Sequence, residues 1–302
     1  MLAVLSPGQG SQTPGMLRPW LDDPALADLL GEMSEAARLD LRALGTTADA
    51  ETIRDTAVAQ PLIVAASLLS FTALGLRADV TAGHSVGEIA ALAVAGVLGP
   101  HDAVALAATR GRAMADDAAA TPTGMSAVVG GVREDVLAAI EQAGAVVANV
   151  NSATQVVAAG TPEQLDQLSG SAPARTRVIP LQVAGAFHTP FMARAQETVR
   201  AAAGELEPRD PSVPLLSNRD GAVVTSGRDA LDRIVSQMTS PVRWDLCSAR
   251  LGADGVSGIV ELCPGGVLTG LAKRELRGVR AIALNSPDDL DAARAVAEGT
   301  HA

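Results

Sequence analysis

The stretch "TAGHSVGEIAALAVAGVLG", residues 81–99, places one serine between two glycines, before an alanine-rich run of helical length. Two local structures fit this pattern. Ser85 followed three residues later by Glu88 is typical of a capping box at a helix N-terminus. Gly83-x-Ser85-x-Gly87 is also typical of a nucleophile elbow, a tight strand-to-helix turn that exposes the serine hydroxyl and uses glycine on both sides. The motif alone favours the elbow only slightly, so the rest of the chain must decide.

The chain around this stretch predicts an α/β fold. Short apolar segments that end at turn residues predict strands at residues 2–5 and 80–83, and later at "VPLLSN" and "GVSGIVE". Longer segments predict helices over residues 24–36, 61–76, 102–119 and 268–276, and from residues 88, 196 and 230 onward. Of the 302 residues, 48% are hydrophobic and 2% are aromatic, with no tyrosine, so the core must be packed with Ala, Val, Leu and Ile.

A different pattern begins after the breaker cluster "TPTG" at residues 121–124. The order of elements is β-α-β-β-α-β, which is the arrangement of a ferredoxin-like unit. Its strands are predicted at residues 126–130, 146–149, 155–159 and 177–183, and its helices at residues 133–143 and 162–168. We therefore expect an α/β-hydrolase-like larger subdomain, residues 1–120 and 191–302, with an inserted ferredoxin-like subdomain, residues 121–190.

The composition excludes several classes of function. The net charge of −11 repels phosphate backbones and gives no attraction to anionic lipid, so we expect no nucleic-acid partner and no membrane partner. Cys247 and Cys263 match no zinc or redox spacing, so we expect reduced, packed thiols and no metal site. We expect no signal peptide at the N-terminus, and we expect the longest apolar runs, such as residues 89–99, to be too short to span a bilayer. We therefore expect a cytoplasmic protein.

A serine nucleophile needs a general base, because its free hydroxyl barely ionises near neutral pH. Of the four histidines, His301 is at the tail and His101 follows Gly-Pro at a helix start, where a surface role is expected. His84 adjoins Ser85, so its side chain should point away from the hydroxyl. His188 lies just past the last strand of the inserted unit and is the remaining candidate. Spacing alone leaves it equally open to a structural role in a turn.

The tetrahedral intermediate of acyl transfer also needs preorganised N–H donors. In an elbow, one donor is the backbone N–H after the serine, here that of Val86. The loop "SPGQGSQ", residues 6–12, is a candidate for the second donor, because glycine-rich turns expose their amides. An ordinary strand-to-helix turn fits that loop as well.

Six motifs then occur together and in order along the chain: "PGQGSQ" at 7–12, "GHSVGE" at 83–88, "TRGRAM" at 109–114, "NVNS" at 149–152, "GAFHT" at 185–189 and "CPGGVLTGL" at 263–271. Together they resemble the malonyl-CoA:acyl-carrier-protein transacylases, the loading enzymes of type II fatty-acid synthesis, in their actinobacterial form. The resemblance covers essentially the whole chain. It departs at Ser6, where many members carry phenylalanine, which affects only our expectation for local packing.

The resemblance implies an active site in the cleft between the two subdomains. Ser85 matches the family's nucleophile and His188 its base. Gln9 matches the residue whose backbone N–H joins that of Val86 in the oxyanion hole, and Arg110 matches the arginine that grips the malonyl carboxylate. Polar positions of less defined role in the cleft are matched by Gln60, Asn149 and Asn151, and His84 matches a neighbour of the site.

The implied reaction is ping-pong transfer through a malonyl-serine intermediate, from malonyl-CoA to the pantetheine thiol of an acyl carrier protein, with no cofactor. A guanidinium can hold a carboxylate by two parallel hydrogen bonds, so Arg110 would select malonyl over acetyl groups. Its alternative role is that of a solvated arginine on a helix face, which we expect for Arg112. In related acyltransferases, a bulky residue at the position of Phe187 is associated with selectivity for malonyl over methylmalonyl groups. Phe187 is otherwise simply a core residue.

No acid between Ser85 and His188 stands out as the third member of a hydrolase triad. The resemblance implies that a backbone carbonyl orients the histidine, near "GADGVSG", and we expect it around Asp254.

The expected partners are an acyl carrier protein, normally acidic, and malonyl-CoA or CoA. Because this chain is acidic too, attraction to the carrier must be local. The densest basic run is "AKRELRGVR", with Lys273, Arg274, Arg277 and Arg280, and we expect it to form part of the carrier dock. A solvated helix face explains the same run equally well. We expect a monomer, although no sequence feature decides the oligomeric state.

Two rival functions remain open from the residues. A serine thioesterase shares the elbow and the histidine but has no need for Arg110. A carrier-binding or CoA-binding protein would use Ser85 only as a helix cap. A loading enzyme of a polyketide pathway would catalyse the same reaction with a different carrier.

Overall fold

In the computed structural model of this chain, residues 1–300 are described. The strands are β1 (Leu2–Ser6), β2 (Val80–Gly83), β3 (Gly124–Gly130), β4 (Val146–Ser152), β5 (Gln155–Gly160), β6 (Thr176–Pro180), β7 (Leu215–Leu216), β8 (Val223–Val224), β9 (Val242–Arg243), β10 (Gly258–Glu261) and β11 (Arg280–Ala283). The helices are α1 (Pro24–Ala37), α2 (Leu41–Thr46), α3 (Thr56–Leu74), α4 (Gly87–Val94), α5 (Pro100–Ala120), α6 (Arg133–Gln142), α7 (Pro162–Gly170), α8 (Ala193–Gly204), α9 (Gly227–Gln237), α10 (Trp244–Ala253), α11 (Val267–Glu275) and α12 (Leu290–Glu298).

The larger sheet has the strand order β11-β10-β1-β2-β7-β8, and its neighbours are parallel except for the antiparallel pair β7–β8. Strands β1, β2 and β10 are buried along their whole length, as expected for parallel strands covered on both faces. Ser6, the last residue of β1, is in register with Gly83, the last of β2. The loop after β1 and the turn after β2 therefore meet at the same edge of the sheet.

The smaller sheet has the order β6-β3-β5-β4-β9. Strands β3 to β6 are antiparallel in the order of a ferredoxin-like unit, with α6 and α7 as the crossovers. The predicted α/β class and the ferredoxin-like insertion are therefore confirmed. Strand β9 was not expected: Val242 and Arg243, from much later in the chain, pair parallel to β4. Two residues are too few to leave a strand pattern in the sequence.

Helix α3 differs from its prediction in two ways. It begins at Thr56, not at Pro61, because Asp55 caps it by accepting a 2.8 Å hydrogen bond from the Ala57 N–H. The expectation that all apolar runs are too short to span a bilayer is also wrong, since α3 has 19 residues with a mean hydropathy of 1.8. The helix is packed against α5 and α4, and 72% of this segment is buried inside the protein. This burial is typical of a core helix.

The turn between β2 and α4 is an elbow. Ser85 has φ = 54°, in the left-handed region that side chains rarely adopt. A side chain on Gly83 would overlap the backbone of Gly87, and one on Gly87 would overlap the carbonyl groups of Ser6 and Pro7. Both glycines of the quoted stretch are therefore required by the close approach of backbone segments, which also brings the loop after β1 against the elbow.

Replacing Gly87 by alanine should lower the free energy of unfolding by about 3 kcal/mol, the upper end for overpacking, because the methyl group would overlap the backbone carbonyl groups of Ser6 and Pro7. Gly31 is the matched control, since it lies exposed in α1 with open space around its Cα. Gly31→Ala should raise stability by about 0.5–1 kcal/mol through helix propensity. Urea unfolding measures both, and a Gly87→Ala protein as stable as the wild type would contradict the elbow geometry.

Candidate active site

A cleft of about 480 Å³ lies where the elbow faces the smaller sheet. Most of the residues predicted for the site line this cleft: Gln9, Gln60, His84, Ser85, Asn149, Asn151, Phe187 and His188. Val86 and Arg110 are completely buried and do not line it. The side chain of Arg110 instead reaches Ser85 from behind the wall of the cleft.

Ser85 and His188 form a hydrogen-bonded pair. The Ser85 Oγ lies 2.8 Å from the His188 Nε2, and the His188 Nδ1 lies 2.8 Å from the backbone oxygen of Gln237. A carbonyl oxygen can only accept, so Nδ1 carries the proton and Nε2 has a free lone pair. The Ser85 hydroxyl therefore donates to Nε2, which is the arrangement needed for removal of the serine proton.

The prediction that the histidine is oriented near Asp254 is wrong. Asp254 ends α10 and forms an ion pair with Arg250 at 2.8 Å. The orienting carbonyl belongs to Gln237, the last residue of α9. Carbonyl groups in the last turn of a helix have no α-helical partner, so this one accepts from His188 and, at 3.4 Å, from the Ser240 N–H. Any residue type supplies a backbone carbonyl, so the sequence contains no trace of this contact.

The His188 ring is held neutral. Burial lowers the pKa of His188 to about 3, and the positive charge of Arg110 acts in the same direction. Since this pKa lies well below its ordinary value of 6.5, the imidazole is unprotonated at neutral pH and available as a base. His188 also has φ = 61°, so both members of the pair have left-handed backbone conformations.

Arg110 is a buried cation on α5, completely shielded from solvent. Its guanidinium donates to the side-chain oxygens of Gln60 at 2.7 Å and Gln237 at 2.8 Å, and to the Ser85 Oγ at 3.3 Å. Burial lowers the pKa of Arg110 to about 10, while the nearby Glu88 raises it. The group therefore stays charged at neutral pH, which excludes the alternative of a solvated helix-face arginine. Arg112, by contrast, is exposed as expected.

Gln60 connects the two longest helices. It lies on α3, and its Nε2 donates to the Met114 Sδ at 3.2 Å while its Oε1 accepts from Arg110. Gly111 permits this contact between helices, because a Cβ there would lie 2.7 Å from the Thr56 carbonyl oxygen.

The candidate oxyanion donors are backbone groups on the two loops at the edge of the larger sheet. A Cβ on Gly8 would lie 2.7 Å from the His84 carbonyl oxygen, so the loop after β1 packs directly on the elbow. Within residues 1–300, the N–H groups of Gln9 and Val86 donate no hydrogen bond to another protein atom. The Gln9 side chain is anchored away from them by a 3.1 Å hydrogen bond to the Thr56 Oγ1.

The capping-box interpretation of Ser85 is wrong. Helix α4 begins at Gly87 and has no side-chain cap. The Ser85 hydroxyl contacts His188 instead, and the Ser85 N–H donates to the Asn218 Oδ1 at 2.8 Å. Glu88 does not reach back to Ser85, because it accepts from Asn218 and Gln237.

The smaller sheet supplies the opposite wall of the cleft. Asn151 accepts a 2.9 Å hydrogen bond from the His84 Nε2, and burial lowers the pKa of His84, so this ring is neutral. The His84 ring packs against Trp244 at a centroid distance of 5.7 Å. The Asn149 Oδ1 is buried and has no hydrogen-bond partner within residues 1–300. Phe187, 5% exposed, lines the cleft beside His188.

Asn218 and Gln237 are the site residues that sequence reasoning missed. Asn218 follows β7 at the edge where the elbow lies, and it donates to the Gly83 carbonyl oxygen at 2.7 Å while accepting from the Ser85 N–H. Its place just after "VPLLS" at the carboxyl end of a strand was the available clue. Gln237 lies in an amphipathic helix, and nothing in the pattern of that helix distinguishes it.

The remaining predictions fall outside the cleft or at its mouth. Cys247 and Cys263 are free and buried, and His101 forms an exposed 2.9 Å contact with Glu32, all as expected. His301 lies outside the described residues. No cluster of metal-ligating side chains is found within residues 1–300. All four cations of the basic run that begins at Lys273 are exposed, and Arg274 lies at the mouth of the cleft.

Comparison with known proteins places this site in a family. The family model described as "Acyl transferase domain" matches residues 4–294. The malonyl CoA-acyl carrier protein transacylase of Mycobacterium tuberculosis is 57% identical over 297 residues, covering 96% of this chain and 98% of the relative.

Two solved structures have the same fold over almost the whole chain. The crystal structure of MCAT from Mycobacterium tuberculosis superposes with a TM-score of 0.94 at 57% identity, covering 97% of this chain and 99% of that one. A malonyl-transacylase in complex with a type II PKS acyl-carrier protein has a TM-score of 0.90 at 30% identity, covering 97% and 98%. The chain therefore belongs to the acyl transferase domain family, among its malonyl CoA-acyl carrier protein transacylases.

Proposed function

We propose that Ser85 and His188 catalyse ping-pong transfer of a malonyl group from malonyl-CoA to the phosphopantetheine thiol of an acyl carrier protein. The observation that carries this proposal is the 2.8 Å contact between the Ser85 Oγ and the His188 Nε2, with the buried Arg110 guanidinium 3.3 Å from the same oxygen. A nucleophile, a neutral base and a fixed cation thus meet at one atom.

In the first half-reaction, His188 accepts the Ser85 hydroxyl proton at Nε2 as the oxygen attacks the thioester carbonyl of malonyl-CoA. The N–H groups of Gln9 and Val86 stabilise the resulting oxyanion, each worth about 3 kcal/mol. The carbon–sulfur bond then breaks, and the CoA sulfur takes the proton from His188. Malonyl-Ser85 and free CoA remain.

In the second half-reaction, the carrier's pantetheine thiol gives its proton to His188 as the sulfur attacks the malonyl-Ser85 ester. The same N–H groups hold the second oxyanion. The bond to Ser85 then breaks, and the Ser85 oxygen recovers the proton from His188. General-base assistance of this kind contributes about 10²–10⁴-fold in rate.

Arg110 is proposed to bind the malonyl carboxylate. Its charge is fixed beside the nucleophile by Gln60 and Gln237, so the acyl group would be held with its carbonyl at Ser85. An acetyl group would leave this buried cation without its anionic partner, and sites built for a polar group reject analogues that lack it. Asn149, whose buried Oδ1 faces the cleft unpaired within residues 1–300, is a candidate acceptor for an N–H of the substrate.

This arrangement supports transfer over the two rival functions. A thioesterase needs no buried arginine beside its serine, and a binding protein needs neither the strained serine nor its neutral base. The reaction serves fatty-acid synthesis and is equally compatible with polyketide synthesis, where only the carrier differs.

We further propose that the protein is a cytoplasmic monomer. Residues 121–190 are proposed to form the subdomain that covers the acyl site. The reaction is proposed to need no cofactor. Each proton and bond in the two half-reactions is accounted for by side chains and backbone of this chain, and a chelator should leave the transfer rate unchanged.

The proposed function is tested by mixing the protein with malonyl-CoA and the pantetheinylated carrier and following the carrier's mass. We expect one malonyl group on each carrier and little free malonate. Release of malonate at the same rate with and without carrier would instead identify a hydrolase.

The His188 imidazole should stay neutral from about pH 5 to about pH 8, because burial and the Arg110 charge hold its pKa far below the ordinary value. Its ring proton resonances, assigned by their loss in His188→Gln, should not show the full downfield shift that protonation of an imidazole produces. A full protonation shift with a midpoint near pH 6.5 would contradict the neutral-base assignment.

Exchanging Phe187 for alanine should open space for an α-methyl group beside Ser85, since the ring is buried at the wall of the cleft. The ratio of methylmalonyl to malonyl loading should rise about tenfold, the scale of one methyl-sized clash in a pocket. Phe71, half-buried on α3 and away from the cleft, supplies the control Phe71→Ala. An unchanged ratio would make Phe187 only a core residue.

Reversing Lys273 and Arg274 to glutamate should raise the KM for the carrier, because both cations are exposed on α11 and one lies at the cleft mouth. Replacing two favourable charges by two unfavourable ones predicts roughly a tenfold change or more at low salt, shrinking as salt screens the contact. Reversal of the exposed Arg42 and Arg209 makes the same change in net charge elsewhere on the surface. An unchanged carrier KM would put the dock elsewhere.

A further inference from the structure

Glu88 is a buried carboxylate that the proposed reaction does not use. It lies in the first turn of α4, three residues after Ser85, and is 3% exposed. Its Oε1 accepts the Asn218 backbone N–H at 3.0 Å, and its Oε2 accepts from the Gln237 Nε2 at 2.6 Å. Both oxygens of this acid are therefore acceptors on the hidden side of the elbow.

The contact with Glu88 determines which way the Gln237 amide points. The Gln237 Nε2 is surrounded by acceptors: Glu88 Oε2, the Asn218 Oδ1 at 3.2 Å and the Ser85 carbonyl oxygen at 3.3 Å. The Oε1 faces the Arg110 Nη2, which can only donate. Turning the amide over would set donor against donor at Arg110 and oxygen against oxygen at Glu88.

We propose that Glu88 is a positioning residue for acyl selectivity: through the Gln237 amide it holds the Arg110 guanidinium in place for the acyl carboxylate. The proposal rests on the proposed function. Glu88 touches no substrate and acts through Gln237, whose backbone carbonyl also orients His188. One buried acid is thereby connected to the carboxylate-binding group and, more indirectly, to the base.

Both oxygens of Glu88 are full acceptors only in the ionised form. A protonated carboxyl would present an O–H to either Gln237 or Asn218, which are both donors at these positions. Burial raises the pKa of Glu88 to about 7, against the hydrogen bonds from Asn218, Ser217 and Gln237 and the charge of Arg233, all of which lower it. The working form is present above this pKa and is lost as the pH falls through it.

The charged and titratable groups around Glu88 are few. They are Arg110 on α5, Arg233 on α9 and the Cys247 thiol on α10. The adjoining β1, β2 and α3 carry no ionisable side chain. Because burial lowers the pKa of both His188 and His84 below the ordinary value, a decline in loading rate near neutral pH that is lost in Glu88→Gln is attributed to Glu88.

The test is the rate of Ser85 acylation by malonyl-CoA and by acetyl-CoA, followed by rapid quench and intact mass, in wild type and Glu88→Gln. The variant keeps the shape of the side chain but offers an NH₂ group where Gln237 needs an acceptor. Malonyl loading should fall about tenfold or more, the scale of a disturbed hydrogen bond to a charged group, while acetyl loading changes much less. Asp117→Asn on α5 is the control, because Asp117 is a buried carboxylate that contacts α8 and not the site.

The pH dependence gives a second readout that a merely structural role would not produce. In the wild type, malonyl loading should decline as the pH falls below about 7 while acetyl loading stays level, and Glu88→Gln should lack this decline. Equal losses for both acyl groups in Glu88→Gln, or a decline that persists in it, would overturn the proposal. If Glu88→Gln does not fold, a wild-type rate of malonyl loading that does not change across neutral pH would also overturn the proposal. A wild type that never acquires a malonyl group would instead refute the proposed function.

Discussion

The left-handed backbone of Ser85 is the constraint on which the rest of the site depends. A residue other than glycine holds φ near 54° only when its surroundings fix it there, at a cost of about 1–3 kcal/mol. Here Asn218 fixes it from both sides, by accepting from the Ser85 N–H and donating to the Gly83 carbonyl oxygen. This conformation turns the hydroxyl toward His188, and the Val86 N–H has no hydrogen-bond partner within residues 1–300.

Behind the elbow, one buried cation determines the electrostatics of the cleft. Burying an isolated guanidinium costs several kcal/mol, and hydrogen bonds to two glutamine oxygens and the nearby Glu88 carboxylate offset part of this for Arg110, whose Nε has no partner within residues 1–300. Burial is the main reason that His188 stays neutral, and the Arg110 charge acts in the same direction. A carboxylate-bearing acyl group would give the Arg110 guanidinium a direct anionic partner, which its two glutamine contacts do not supply, and this is the basis of the proposed selectivity.

Much of the fold and of the site could be predicted from the sequence where a residue type has one physical use. Gly83 and Gly87 mark the elbow because no side chain fits at either position. Positions along the chain made His188 the remaining candidate for the base, and in the structure its Nε2 lies 2.8 Å from the Ser85 Oγ. Contacts made by backbone groups could not be predicted, and the Gln237 carbonyl is the clearest case.

A two-residue strand and the start of one helix could not be predicted correctly for a related reason. Strand β9 has only two residues and forms by pairing with β4, so it leaves no periodic pattern in the sequence. The start of α3 was misplaced because proline is common at the first helical position, whereas Asp55 supplies a stronger cap further upstream. Helix α12 was readable from the spacing of Ala293 and Ala297, both buried, and its omission was avoidable.

The most direct test of the central claim is an intact-mass spectrum of the protein after brief exposure to malonyl-CoA, beside Ser85→Ala. The account predicts a mass gain of one malonyl group on the wild type, located at Ser85 by peptide mapping, absent from the variant, and discharged when the pantetheinylated carrier is added. An unmodified wild type with malonyl-CoA still intact, or an adduct that survives in Ser85→Ala, would contradict it.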